Sequence, residues 1–351
     1  MEMNKDYEFI DTYDEVIRIT ENGKRYLLLG NGFSIAFDKM FSFKNLFDYA
    51  VNKNLISLNS PLHNIFYYDF KTYDFERVIK KLEESIIVYA RYHTYPYYFW
   101  YYLYSDINNL KRILINVLSE LHPEHAASLD EFNYSYVKNF IKEYDSIFTL
   151  NYDLLLNWAT LELQYNKNNI YNCRLEVNDG FRRPTGNLTF VENNEEQTIY
   201  YLHGALHIFD EGIEITKITS KYGEKSLIHQ IRENILYFFK YPLFVSEGTW
   251  QNKLLKIKKN IYLNHCYNAL KNLGKVKDNG SLIILGTLLK SNDNHILEAI
   301  KQNKIKNIYI GVSSYDKIRE ECSHIFKELK NKNLFFYDYK TSDVWGNRDF
   351  E

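Results

Sequence analysis

Short, continuously apolar runs alternate along this chain with longer stretches whose apolar residues recur every three or four positions. The runs within Arg25–Leu29, Ser146–Leu150, Thr198–Leu202, Ser281–Gly286, Asn307–Gly311 and Leu334–Tyr337 read as strands buried on both faces, with Leu243–Ser246 a shorter one. Helical spacing fills the gaps: Asp11 to Glu21, Asp153 to Leu163, Trp250 to Leu273, a stretch from about Asp293, and Lys317 to Lys330. Strands alternating with helices predict an α/β, Rossmann-like fold, a mostly parallel sheet with helices on both faces.

One gap is too large for a single crossover helix. From Phe41 to Lys142 the pattern stays helical: Phe75, Val78, Ile79 and Leu82 lie on one face, and Tyr97 to Leu121 forms a second helix with Pro96 at its first turn. Asp130 to Tyr144 makes a third. The reading is a helical insertion over residues 41–142, carried by a core built from 1–40 and 143–351. Asn166 to Gln197 is of mixed polarity, with Asp179-Gly180 and Thr185-Gly186-Asn187, and predicts loops or a small hairpin.

Composition removes several function classes. A formal net charge of −2 over 351 residues leaves no whole-chain electrostatic footprint for nucleic acid. The basic stretch Lys253 to Lys259 reads as the wet face of a helix, because Leu254, Leu255 and Ile257 interleave with the lysines. The 32 Tyr and 23 Phe accompany abundant Lys, Asn and Ile, which points to codon bias rather than base stacking. Cys173, Cys266 and Cys322 are too dispersed for a thiolate zinc site or a disulfide framework and fit a reducing compartment. With a polar start and no run of about 18 apolar residues, a cytoplasmic protein with no membrane partner is expected.

Candidate chemistry gathers where three apolar runs end. Gly30-Asn31-Gly32-Phe33-Ser34 follows the first, as a glycine turn that would let backbone approach phosphate oxygens, with Ser34 offering a hydroxyl. It is short of a full dinucleotide fingerprint, because Ala36 stands where a third glycine would be expected. Asn151 and Asp153 follow the second run. Asn151 suits a ribose hydroxyl or a water, and Asp153 reads equally as a site carboxylate or a helix N-cap. His203-Gly204 follows the third, with an imidazole suited to general-base work and a glycine leaving room beside it. His207 lies four residues on. No third ligand is evident near that pair, so no metal is expected and His207 is assigned to packing. Gly286-Thr287 ends the strand Ser281–Leu285 and would complete a phosphate or ribose cradle. Asp293 and His295 follow, readable as site residues or as the cap and first turn of the next helix.

Taken in order, Gly-Asn-Gly-Phe-Ser, Leu-Asn-Tyr-Asp, Leu-His-Gly and Gly-Thr-Leu resemble the SIR2-like group of NAD-binding proteins, whose fold is of the SIR2/DHS type. Over nearly its whole length the chain resembles the bacterial family of unknown function DUF4917. That resemblance rests on Leu28 to Phe37, Tyr73 to Ile79, Phe148 to Ala159, Asp179-Gly180-Phe181, Tyr200 to Asp210, Phe244 to Thr249, Gly286 to Leu297 and Ser342 to Gly346. The SIR2 likeness implies phosphate binding by the turn from Gly30 to Ser34, with Asn31 and Phe33 in it. It implies Asn151 beside the nicotinamide ribose, Asp153 near the carboxamide pocket, His203 as catalytic base and Thr287 as the small hydroxyl residue of the late strand. The four-cysteine zinc module and the Gly-Ala-Gly turn with Asp-Phe-Arg, carried by the deacylases, are both absent.

The resemblance therefore implies an NAD glycohydrolase rather than a deacylase. NAD would be the substrate, cleaved to nicotinamide and ADP-ribose in bacterial antiphage defence by abortive infection, on a phage-derived or partner-protein trigger. A homo-oligomer is compatible with this reading. Two alternatives stay open: a non-catalytic sensor of NAD or an ADP-ribose-like ligand, and an ADP-ribosyltransferase. The role of the insertion, including Glu76, is left open between lid, assembly surface and a plain first-turn carboxylate.

Overall fold

The computed structural model describes residues 7–92, 97–126, 129–165, 173–183, 188–192, 197–219, 225–246, 248–275 and 279–346. The readings placed on Pro96, on Thr185-Gly186-Asn187 and on Glu247 lie outside them. Seven strands form one all-parallel sheet in the order Glu8–Ile10, Asn333–Asp338, Asn307–Val312, Ser281–Leu285, Arg25–Leu29, Ser146–Thr149 and Ile199–Tyr201. Every residue of Arg25–Leu29, Ser146–Thr149 and Ser281–Leu285 is buried, so both faces at the sheet's centre are covered. Each Leu or Ile there contributes roughly 1.5–3 kcal/mol by leaving water, which explains why continuous rather than alternating apolar runs mark these strands. The edge strand Glu8–Ile10, in register with Phe335–Tyr337, was not expected. Three residues are too few to show a period.

The strand Arg25–Leu29 lies at a topological switch. One side of it pairs with Ser146–Thr149, whose outer neighbour is Ile199–Tyr201; the other pairs with Ser281–Leu285. The chain builds the first side, then crosses to build the second. In open α/β sheets the crevice at the carboxyl ends beside such a strand is where ligands bind.

Between residues 43 and 141 the described residues form helices and connecting turns and no strand, including Phe43–Asn52, Phe75–Tyr92, Tyr97–Leu121 and Glu131–Ile141. Phe75, Val78, Ile79 and Leu82 are buried, as their spacing predicts. Two expected helices are broken. Trp250 to Leu273 divides into Trp250–Lys259 and Ile261–Lys271 at Asn260, whose backbone is extended and whose side chain accepts a hydrogen bond from the Leu263 amide. Asn favours this N-cap geometry over a helix interior. The stretch from Lys317 to Lys330 divides into Ile318–Glu321 and Ser323–Glu328 at Cys322. No helix among the described residues is long and apolar enough to cross a membrane.

The largest departure is a second sheet, of which only a small hairpin within residues 166–197 and a short strand at residues 243–246 were expected, and these as separate pieces. Its five antiparallel strands run in the order Phe181–Arg182, Leu188–Phe190, Ile215–Lys217, Gly204–Asp210 and Pro242–Phe244. His203 stands where the chain leaves Ile199–Tyr201 of the first sheet and enters Gly204–Asp210 of the second. Gly204 makes that turn with φ of +81°, and a Cβ on it would lie 2.0 Å from the Leu243 carbonyl oxygen. Its role is therefore close backbone pairing with the neighbouring strand; the space beside it is filled by Leu243 and is not left for a ligand.

Gly204→Ala combines a disfavoured φ with a backbone collision. We expect it to cost about 3 kcal/mol or more, read as a large fall in the thermal unfolding midpoint. An unchanged midpoint would contradict this account of the crossing.

Candidate active site

A cavity of about 970 Å³ opens at the carboxyl ends of the parallel strands, beside the switch strand. Gly30, Asn31, Gly32, Asn151, Asp153, His203, Gly286, Thr287 and Asp293 all line it, so one pocket joins the strand-end segments. Phe33, Ser34 and His295 do not line it. Phe33 is fully buried against Trp345, 5.1 Å between ring centroids, and its carbonyl accepts from the Trp345 indole at 2.9 Å. It is a core residue.

The glycine turn plays a different part from the one its spacing suggests. The Gly30 amide donates to the Leu285 carbonyl and the Gly32 amide to the Gly286 carbonyl, both at 2.9 Å. The amides of Phe33 and Ser34 donate to the carbonyls of Gly30 and Asn31. These four amides are engaged within the protein and are not ready donors for a phosphate. A Cβ on Gly32 would meet the Gly286 Cα at 2.5 Å, and one on Gly30 would meet the Thr287 Cβ at 2.3 Å. The glycines let two adjacent strand ends lie backbone to backbone. Asn31 Nδ2 donates to the Phe41 carbonyl at 3.2 Å, and Thr287 Oγ1 accepts from the Leu289 amide at 3.1 Å; both side chains hold local turns at the cavity wall.

Behind the turn lies a buried polar group. Asn151 Nδ2 donates to the Gly30 carbonyl at 3.1 Å and to Ser34 Oγ at 3.0 Å. Ser34 Oγ donates to Asp153 Oδ2 at 2.5 Å, and Asp153 Oδ1 accepts from the Leu155 amide at 2.9 Å. Asp153 thus accepts from the first amide of the helix Leu155–Tyr165 and anchors Ser34. Burial pushes its carboxyl upward, against the downward pull of those two hydrogen bonds. The Ser34 hydroxyl proton is committed to Asp153 and is not a donor for phosphate. With both amide protons of Asn151 engaged, the group it offers the cavity is the acceptor Oδ1.

His203 Nε2 lies 2.9 Å from His295 Nε2, with the two rings stacked at 5.1 Å between centroids. Burial lowers the pKa of both, His295 to about 3, with the Lys253 charge adding to the effect, so both rings are neutral near pH 7. His207 is placed elsewhere, within the strand Gly204–Asp210 and edge-on to Tyr201 at 5.1 Å. Neither of its ring nitrogens has a hydrogen-bond partner among the described residues. The packing assignment for His207 fits this placement; the partner of His203 is His295.

Sequence reasoning missed Lys253. It is not on a wet face: its side chain is 1% exposed, and its ammonium lies 2.6 Å from Glu76 Oε2 and 3.1 Å from Asp293 Oδ1. The signal was present in the spacing, because Lys253 shares a helical stripe with the buried Ile257. Asp293 is thereby an ion-pair partner whose side chain makes no helix-cap hydrogen bond. Burial opposes the Lys253 charge, but Asp293 and Glu76 outweigh it and raise its pKa above the ordinary lysine value. One ammonium cannot neutralise two carboxylates. Burial pushes Glu76 up to about 7, against the pull of Lys253. A protonated Glu76 also suits Tyr152, whose hydroxyl lies 2.9 Å from Glu76 Oε1 and 2.6 Å from the Val245 carbonyl. The phenol has one proton for two acceptors, so a proton on Glu76 completes the set.

A raised carboxyl pKa means the folded state binds more protons than the unfolded between about pH 4.5 and 7. Stability should therefore fall as pH rises through that window, by up to about 3 kcal/mol. Glu76→Gln is expected to flatten this slope in urea unfolding measured at several pH values. An identical slope in the variant would refute the assignment.

Comparison with known proteins adds one match. No curated protein matches the chain. A family model described as "Domain of unknown function (DUF4917)" matches residues 27–345, which takes in the last three residues of the switch strand, the residues lining the cavity and Trp345. The chain belongs to the DUF4917 family.

Proposed function

We propose that the protein is an NAD glycohydrolase, releasing nicotinamide and ADP-ribose, and that it serves bacterial antiphage defence. The observation that carries this reading is the meeting of Asn151 and His203 in one large cavity at the switch point of a parallel sheet. A volume of about 970 Å³ stands at the upper end of small-molecule pockets and has room for a dinucleotide. Lys39, Arg77, Lys80 and Lys290 line it, although the whole chain is slightly acidic. Side-chain cations of this kind, rather than the glycine-turn amides, would hold the two phosphates.

The reaction breaks the bond between the ribose C1′ and the nicotinamide nitrogen. The electron pair leaves with nicotinamide, which becomes neutral, and a water oxygen bonds to C1′ and loses one proton. The leaving group is already cationic, so no strong general acid is required. Asn151 Oδ1 would accept a hydrogen bond from the water or from a ribose hydroxyl and fix its position. Ser34 and Asp153 hold Asn151 in place and are positioning residues. His203 would take the proton. With Nε2 facing His295, it does so through Nδ1, which requires the tautomer that donates Nε2–H to His295.

The test is nicotinamide release from NAD by purified protein. Asn151→Ala and His203→Ala are each expected to reduce the rate by about 100-fold or more. Undiminished turnover in both variants would end this reading. Ligand-induced thermal stabilisation without nicotinamide release would favour a sensor, and transfer of labelled ADP-ribose to a macromolecule would favour a transferase.

A further inference from the structure

We infer that His203, Asp293 and His295 form a binding site for a borderline divalent metal ion of the zinc or cobalt class, and that the ion holds His203 inactive. One ligand atom from each residue lies within 4.8 Å of the others. The two imidazole Nε2 atoms are 2.9 Å apart. A tetrahedral ion with bonds of about 2.0–2.1 Å holds two ligand atoms roughly 3.3 Å apart, so the two rings need part by only a few tenths of an ångström, while the Asp293 carboxylate, within 4.8 Å of them, swings in to complete the set. Two imidazoles and one carboxylate select zinc, cobalt or nickel over magnesium or calcium, which require oxygen ligands.

Lys253 does not close the site. It holds Asp293 through Oδ1, and a carboxylate has a second oxygen to give. Its charge, and the absence of an acceptor for His295 Nδ1 among the described residues, set the affinity below that of a structural zinc centre. Asp293 and His203 both line the cavity, so the ion's remaining position faces the pocket.

The consequence for His203 follows from the tautomer. A metal on Nε2 takes that lone pair, and the neutral ring must then carry its proton on Nδ1. That ring has no nitrogen left to accept a proton. Metal occupancy and general-base function exclude each other. This second half rests on the glycohydrolase reading; binding does not.

Cobalt(II) titration of the full chain, followed by visible absorption and by zinc calorimetry, decides the binding claim. We expect one ion per chain, bound with an affinity that falls at least 10-fold in His295→Gln and in Asp293→Asn, both checked for folding by circular dichroism. An ion-induced rise in the unfolding midpoint should be lost in His295→Gln. Absence of binding, or binding unchanged in both variants, overturns the site. If wild-type protein releases nicotinamide, zinc should suppress release and a chelator restore it. Turnover unaffected by saturating zinc would overturn the inhibitory role while leaving the binding result intact.

Discussion

A single buried ammonium organises the cavity. Lys253, on the helix Trp250–Lys259, reaches both Glu76 on the helix Phe75–Tyr92 and Asp293 in the turn ahead of the helix Asn294–Gln302. An uncompensated charge at that depth would cost several kcal/mol, so the three elements are obliged to keep their relative places. The obligation is one of geometry more than of net stability, since buried ion pairs often contribute little against an apolar replacement. Gly248 tightens the same junction: a Cβ there would lie 2.1 Å from the Lys80 Cα on the helix Phe75–Tyr92. The helical stretch after residue 41 thus enters the site as part of its wall.

Opposite this junction, close backbone packing does the positioning. Gly30, Gly32 and Gly286 bring two strand ends together, and Asn151 is fixed by hydrogen bonds to that seam and to Ser34. Between the two halves stands His203, delivered by the step from the parallel into the antiparallel sheet. Its ring is flanked by His295 at 5.1 Å and by Tyr152 at 6.4 Å between centroids. The site is therefore built from fixed elements on every side named here, which is what precise alignment of a small reactant requires.

Much of this was legible in the sequence, and the part that was not has a common cause. The strands announced themselves because burial on both faces leaves a local, continuous apolar signal. Asn151 and His203 were visible because each follows such a run directly. What escaped were relations between distant residues: His203 with His295, separated by 92 positions, and Lys253 with Glu76, separated by 177. Nothing local marks such partners. The glycine turn was legible as a turn, but its spacing does not reveal that Leu285 and Gly286 take the amide protons of Gly30 and Gly32. The second sheet was underestimated because four of its five strands have only two or three residues and carry no period, and the fifth, Gly204–Asp210, is buried along six of its seven residues and does not alternate.

The seam between Arg25–Leu29 and Ser281–Leu285, closed by the contact of Trp345 with the Phe33 carbonyl across 312 positions, also bears on how the molecule comes into being. Pairings of such long sequence separation form late and slowly, since loop-closure entropy must be overcome before they return any free energy. During synthesis the first strand leaves the ribosome long before its neighbour exists. The cavity has no second wall until then. Whatever ligand the cavity takes, this topology alone withholds a complete binding site until most of the chain has been made.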